Sequence, residues 1–293
     1  MTAPLSLDRV GRYERSRRLS TLALQDRDKH LIRLVAQHRV IGSGDLQLLV
    51  GGSAQAILRR LRLLYDHGYL DRPHCQLTRG NNKMVYALGQ RGAEMIAEET
   101  GEKPIADWAE KNRQLQSHYL EHALMVSRFQ VALRYAAHSL GTVVLERWCP
   151  DGFIRDSVTV EHRDRRERVP VAPDAFFTLR LLDSGESVSG FLEADRSTMP
   201  IGRFAVKLRG YLAYYRSGQQ ERRVGARNCL VVTITTSAER AEHLLEAARS
   251  VTDRGLRMFI FCCEQQYLPT ASRRILDAIW RTPADDGLHG LLD

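Results

Sequence analysis

The stretch VAPDAFFTLRLLDSGESVSGFLEADRST, residues 171–198, sets three carboxylates at the edges of two apolar runs. Asp174 follows Pro173 at the start of the first run. Glu193 and Asp195 close the second, after a Gly-containing turn. Both runs read as strands, whose side chains alternate faces, so Glu193 and Asp195 project the same way. An antiparallel neighbour brings Asp174 alongside them. Three carboxylates on one rim repel unless a cation or a base neutralises them. Magnesium or manganese suits such a rim: a hard cation held by a few carboxylates, with water and phosphate oxygens filling the remaining positions. A metal held there polarises a phosphodiester and lowers the pKa of an attacking water. The chemistry expected is metal-assisted attack on a phosphodiester, with Asp174, Glu193 and Asp195 as metal ligands.

Such a site needs a positive group to steady developing negative charge. Lys207, on the helix expected to follow, is the candidate, and Tyr211 falls on the same face one turn later. The alternative is that Lys207 merely pairs with Asp195 and the site is a degenerate relic. His118 and His122 are spaced one helical turn apart but lack a third zinc ligand, so they read as helix-surface histidines. Glu121 or His122 bordering the acidic site is a further expectation. Arg163, Arg165, Arg166 and Arg168 interleave with Glu161, Asp164 and Glu167. They read as a solvated loop as readily as a grip on a DNA backbone. The five cysteines show no CxxC spacing, and Cys262-Cys263 lies in an apolar run. Walker, dinucleotide and nucleophile-elbow patterns are absent.

The elements that must position these residues begin with a long helix ending at Gly141 and striped by Leu120, Leu124, Val131 and Tyr135. The strand TVVLERW and the charged EHRDRRERVP, a hairpin loop or frayed strand pair, come next. After the two strands already quoted, IGRFAVKLRGYLAYYRSG reads as a helix. NCLVVTITTS and LRMFIFCCE read as strands buried on both faces, with the helix AERAEHLLEAARSVT between them. The order is α-β-β-β-α-β-α-β. Pro173-Asp174 followed by Glu193-Ala194-Asp195 resembles the PD-(D/E)XK nuclease pattern, with Asp195 where the motif has lysine. The resemblance implies an α/β, restriction-endonuclease-like αβββαβ domain, and catalytic roles for Asp174, Glu193, Asp195 and Lys207.

Charge divides the chain. The first 91 residues hold 16 Lys/Arg against 7 Asp/Glu, or +9, and the other 202 sum to −1, for a net +8. A polyanion-binding module joined to a near-neutral one fits that asymmetry. From Asp26, the expected N-cap, the pattern predicts a helix, then a short helix opened by Ser43. A longer helix capped by Ser53 and ended at Gly68 follows. Two strands around TRGNNK and a helix over QRGAEMIAEETG complete the module. That order, and LRRLRLLYDHGYLDR in particular, resembles bacterial winged helix-turn-helix regulators. The resemblance implies that Gln55, Arg59, Arg60 and Arg62 on the third helix, with Arg79, Asn81, Asn82 and Lys83 at the wing tip, contact DNA. A winged helix that binds protein is the alternative.

The expected layout is a basic flexible arm at 1–25, the winged helix at 26–101, a charged linker at 102–113 and the nuclease-like domain at 114–293. No run reaches the ~18 apolar residues of a membrane span, and the N-terminus lacks the apolar core of a signal peptide. A cytoplasmic protein is expected. RLRLLYDHGYL, His122-Ala-Leu-Met-Val, PDAFF, FLEADRST and KLRGYLAYY, in that order, resemble the replication-relaxation family of plasmids and conjugative elements. That resemblance implies DNA processing or regulation on a mobile element. Double-stranded DNA, replication or transfer proteins and a second copy of the chain are the expected partners. It leaves open a nuclease or nickase on one side and a non-enzymatic DNA-binding regulator on the other, the latter using its nuclease-like domain for dimerisation or partner contact.

Overall fold

The computed structural model describes residues 11–16, 21–73, 84–101, 110, 112, 117–162, 165–251, 256–268, 270 and 272–293. Contacts divide the chain into two units, one up to Ser127 and one from Arg128. Together they form a mixed α/β structure.

In the first unit the apolar spacing does what it predicts. Helix α1 (Asp26–Gln37) buries Leu31, Leu34 and Val35. It starts one residue earlier than expected, because Asp28 accepts from the Gln25 N–H at 2.8 Å and makes Gln25 the cap. Strand β1 (Ile41–Gly42) leads into α2 (Ser43–Val50). Helix α3 (Ala54–Asp66) opens at Ser53, whose Oγ accepts from the Ala56 N–H at 3.4 Å. Beyond its end Gly68 turns the chain at a φ of +80°, a conformation glycine adopts without strain. Strands β2 (Leu70–Asp71) and β3 (Val85–Leu88) pair antiparallel, and β1 flanks β3 on its other side, giving the order β1-β3-β2. The expected wing tip, residues 79–83, lies outside the described residues. Helix α4 (Gln90–Thr100) follows. Ile32, Val35, Leu46, Ile57, Leu61 and Leu64 form a sealed core.

Helix α5 (Ser117–Leu140) contains the division between units. Its Leu120 and Leu124 pack on Val40, Val85 and Ala87 of the first unit. In the second, Phe129 meets the rings of Trp148, Phe177, Tyr267 and Trp280.

The second unit is built on a seven-stranded sheet. Its strands are β4 (Val143–Pro150), β7 (Ala175–Leu181), β8 (Ser187–Asp195), β9 (Cys229–Thr235), β10 (Phe259–Cys263), β11 (Trp280–Arg281) and β12 (Leu288–His289), in the order β12-β11-β10-β9-β8-β7-β4. Strands β8, β9 and β10 run parallel; the other pairs are antiparallel. The parallel strands read as continuous apolar runs because both faces are covered. Helices α6 (Ile201–Arg216) and α8 (Ala238–Arg249) pack on one face. The short α7 (Gln219–Val224) and α9 (Glu264–Tyr267) link elements.

On either side of residues 163–164, which lie outside the described residues, the charged segment forms a regular strand pair. Strands β5 (Asp156–His162) and β6 (Arg165–Val171) pair in continuous register as a separate two-stranded ribbon. Val158, Val160, Val169 and Val171 face inward onto the α6 core. Gly210 allows that approach: a Cβ there would lie 2.8 Å from Val169.

Candidate functional site

The register of β7 against β8 brings the quoted acids together. Asp174 precedes β7, its N–H donating to Leu192 O at 2.9 Å. Its carboxylate turns back to accept from the Ala194 N–H at 2.7 Å. Glu193 and Asp195 project from β8 toward the face covered by α6 and α8. The structure places Lys207 and Tyr211, one turn apart on α6, at Glu193: the Lys207 ammonium bonds one carboxylate oxygen and the Tyr211 hydroxyl donates to the other. Asp195 is held by a different base. Arg240 of α8 reaches both its oxygens, at 2.8 and 3.1 Å, and also donates to Met199 O at 2.5 Å. Thr235 Oγ1 and the Ser197 N–H complete the shell of Asp195.

Electrostatics follows from this geometry. The Glu193 side chain is 5% exposed. Burial, with the negative charge of Asp174 adding to it, raises its pKa to about 7 against the opposing pull of Lys207. For Lys207, burial favours the neutral amine, but Glu193, Asp174 and Asp195 together hold its pKa above the ordinary lysine value. All three acids therefore act on one ammonium. Burial and Glu193 keep the Tyr211 phenol protonated, well above its usual range.

Asp174 and Glu193 could hold a hard divalent ion if Lys207 and Tyr211 released the Glu193 oxygens. Thr233, in register with Glu193 on β9, is buried and its Oγ1 makes no hydrogen bond among the described residues. Magnesium needs only one or two carboxylates, with waters and phosphate oxygens around it, so this pair fits the ion. Asp195 already has its oxygens filled by Arg240, Thr235 and Ser197. Among the described residues no group of three or more His, Cys, Asp or Glu side chains is arranged to hold a metal.

In the first unit the α3 residues separate into two kinds. Gln55 and Arg59 are exposed, and Leu58 between them is 41% exposed. Arg60 grips Asp28 of α1, Nε to Oδ1 at 2.7 Å. Arg62 bonds Asp66 at 2.9 Å and donates to Glu14 O at 2.8 Å. Arg79, Asn81, Asn82 and Lys83 lie outside the described residues. Of the arm expected to be flexible, residues 11–16 are docked on the end of α3. Tyr65 donates to Tyr13 O at 2.5 Å, Arg72 to Arg12 O at 2.6 Å, and Asp66 accepts from the Ser16 N–H at 3.0 Å. Arg15, which bonds Leu70 O and Asp71 Oδ1 at 3.3 Å, carries no local sequence signal, and neither do Arg72 and Arg240, since each acts across a long separation. His118 is exposed, whereas Glu121 and His122 are half-buried.

The sequence profile of the replication-relaxation family matches residues 32–229, about two thirds of the chain. The chain belongs to the replication-relaxation family. Membership points to a replication-related protein of a mobile element, with DNA and replication proteins as its partners. No curated protein and no solved structure matches it. Among the described residues no helix is long and apolar enough to cross a membrane.

Proposed function

We propose that the chain is a mobile-element protein that binds duplex DNA through a winged helix-turn-helix and cuts it, on one or both strands, at a PD-(D/E)XK-like site. The observation that carries this reading is the meeting of Asp174, Glu193 and Lys207, with the lysine moved from the motif position to α6. Asp174 and Glu193 would hold magnesium, which when bound supplies Lewis-acid activation of the phosphodiester and of water. Lys207 then leaves Glu193 for the phosphate or the attacking water, where its charge steadies the negative oxygens. Tyr211 keeps the Glu193 carboxylate aimed at the rim. Asp195 and Arg240 fix the turn from β8 into α6 and so set the height at which Lys207 emerges.

In the N-terminal unit, α3 would enter the major groove, with Gln55 and Arg59 reading it and Arg60 holding the helix to its scaffold. The test is cleavage of supercoiled and linear DNA in Mg²⁺ or Mn²⁺ by wild type, Glu193→Gln and Lys207→Met. Wild type should nick or cut and both variants should fall by about a hundredfold or more.

A second reading rests on a specific observation: both Glu193 oxygens are bonded within the protein. It is a DNA-binding regulator whose acids only hold the fold. Equal absence of cleavage by all three proteins, with tight salt-sensitive DNA binding retained, would select it.

A further inference from the structure

A cavity of about 680 Å³ lies at the other end of β8 from the acids. That volume falls in the range of small-molecule sites, ~300–1,000 Å³. Leu212 of α6, Leu230 of β9 and Met258 supply apolar walls. The rim is polar and sets two guanidinium groups against one side-chain carboxylate. Arg216, the last residue of α6, makes no hydrogen bond or ion pair among the described residues, and Arg257 faces the same space. The one acid in the lining, Asp293, already accepts from the Gly290 N–H at 2.6 Å. Tyr215 is fixed at the mouth by its bond to Asn228 Oδ1 at 3.0 Å, which leaves the Asn228 amide N–H groups to donate. An apolar hollow under two guanidinium groups selects a ligand with both characters, because guanidinium recognises carboxylate and phosphate through charge-assisted bonds.

We propose that this cavity binds a small amphipathic organic anion. Its apolar body lies against Leu212, Leu230 and Met258, and its phosphate or carboxylate sits on Arg216 and Arg257. The proposal stands independently of the nuclease reading. It has a consequence for that reading all the same: Ser189, at the cavity, precedes Glu193 by four residues on one strand, ~13 Å. Helix α6 likewise carries Lys207 and Tyr211 near its middle and Arg216 at its end.

The test titrates the full chain with anilinonaphthalenesulfonate, an aromatic sulfonate whose fluorescence rises in apolar surroundings. Saturable one-to-one binding is expected. It should weaken about tenfold or more in the Arg216→Ala/Arg257→Ala double variant, and similarly for the neutral phenylnaphthylamine, since a charge-assisted bond is lost in each. Both arginines are exposed, so the double variant should keep the wild-type melting midpoint. Ser187→Trp, which fills the mouth, should abolish binding. Displacement by adenosine monophosphate assigns a nucleotide, and displacement by dodecanoate a fatty acid. No saturable binding, equal affinity in the double variant, equal affinity for the neutral probe, or no displacement by either competitor overturns the proposal.

Discussion

In the first unit Asp28 is wholly buried and faces Arg60, whose guanidinium reaches both carboxylate oxygens. In the second, Glu193 is as well buried but divides its oxygens between an ammonium and a phenol. Asp195, two residues further along, follows the first pattern with Arg240. A guanidinium is a rigid fork that saturates a carboxylate and stays charged, whereas an ammonium is a single mobile point of charge on a flexible stem. The difference separates anchors from a site. Asp28 and Asp195 are locked into the scaffold, and Glu193 keeps partners that can be exchanged.

The sharpest way to break that comparison is to remove the bases. Arg60→Met leaves a carboxylate with no access to water, and breaking such a pair costs about 3–5 kcal/mol. Lys207→Met should cost less, ~1–2 kcal/mol, because Glu193 already sits near neutrality and can take up a proton. Hydrogen exchange of α1 and α3 for the first variant, and of β8 and α6 for the second, gives the local stabilities. Equal losses would erase the distinction between anchor and site.

A smaller effect tests the same contrast through pH. Glu193 has a folded pKa of about 7 against an ordinary 4.5, so the folded protein binds the extra proton between those values. Stability from this group is complete below about pH 4.5 and is lost as pH rises through 7, by on the order of 3 kcal/mol. Glu193→Gln should remove that slope from the urea-unfolding profile of the second unit. A slope unchanged by the substitution would mean that Glu193 is ionised throughout, as an anchor would be.

The contrast also explains what could be read from the chain. Periodicity exposed α3, α5 and α6, and alternation placed Glu193 and Asp195 on one face, because those patterns are local. Helical spacing also put Lys207 and Tyr211 on one face, but the acid they meet is Glu193 and not Asp195, whose oxygens Arg240 takes. Arg240 was not: it lies 45 residues beyond Asp195, and only the parallel packing of β8 and β9 under α8 unites them. The β5–β6 ribbon hid behind its outward charges, although Val158, Val160, Val169 and Val171 carried a period of two. Strands β1, β11 and β12 are two residues each, too short to leave a pattern. The docking of residues 11–16 runs largely through backbone carbonyls, which any sequence offers.

The smallest effect in stability is the most informative about DNA. Gln55 and Arg59 sit one turn apart on the open face of α3, and unlike Arg60 neither is tied to a buried acid. Arg59→Ala should therefore leave folding unchanged within about 0.5 kcal/mol, as surface substitutions do. If Arg59 meets a phosphate, binding weakens on every sequence and the slope of log affinity against log salt falls by about 1. If it meets a base edge, discrimination relaxes at one position while the slope holds. Filter-binding titrations over a salt series, on specific and scrambled duplexes, separate the two outcomes. An affinity and slope both indifferent to Arg59→Ala would remove α3 as the reading surface and leave the positive charge of the first unit without its proposed partner.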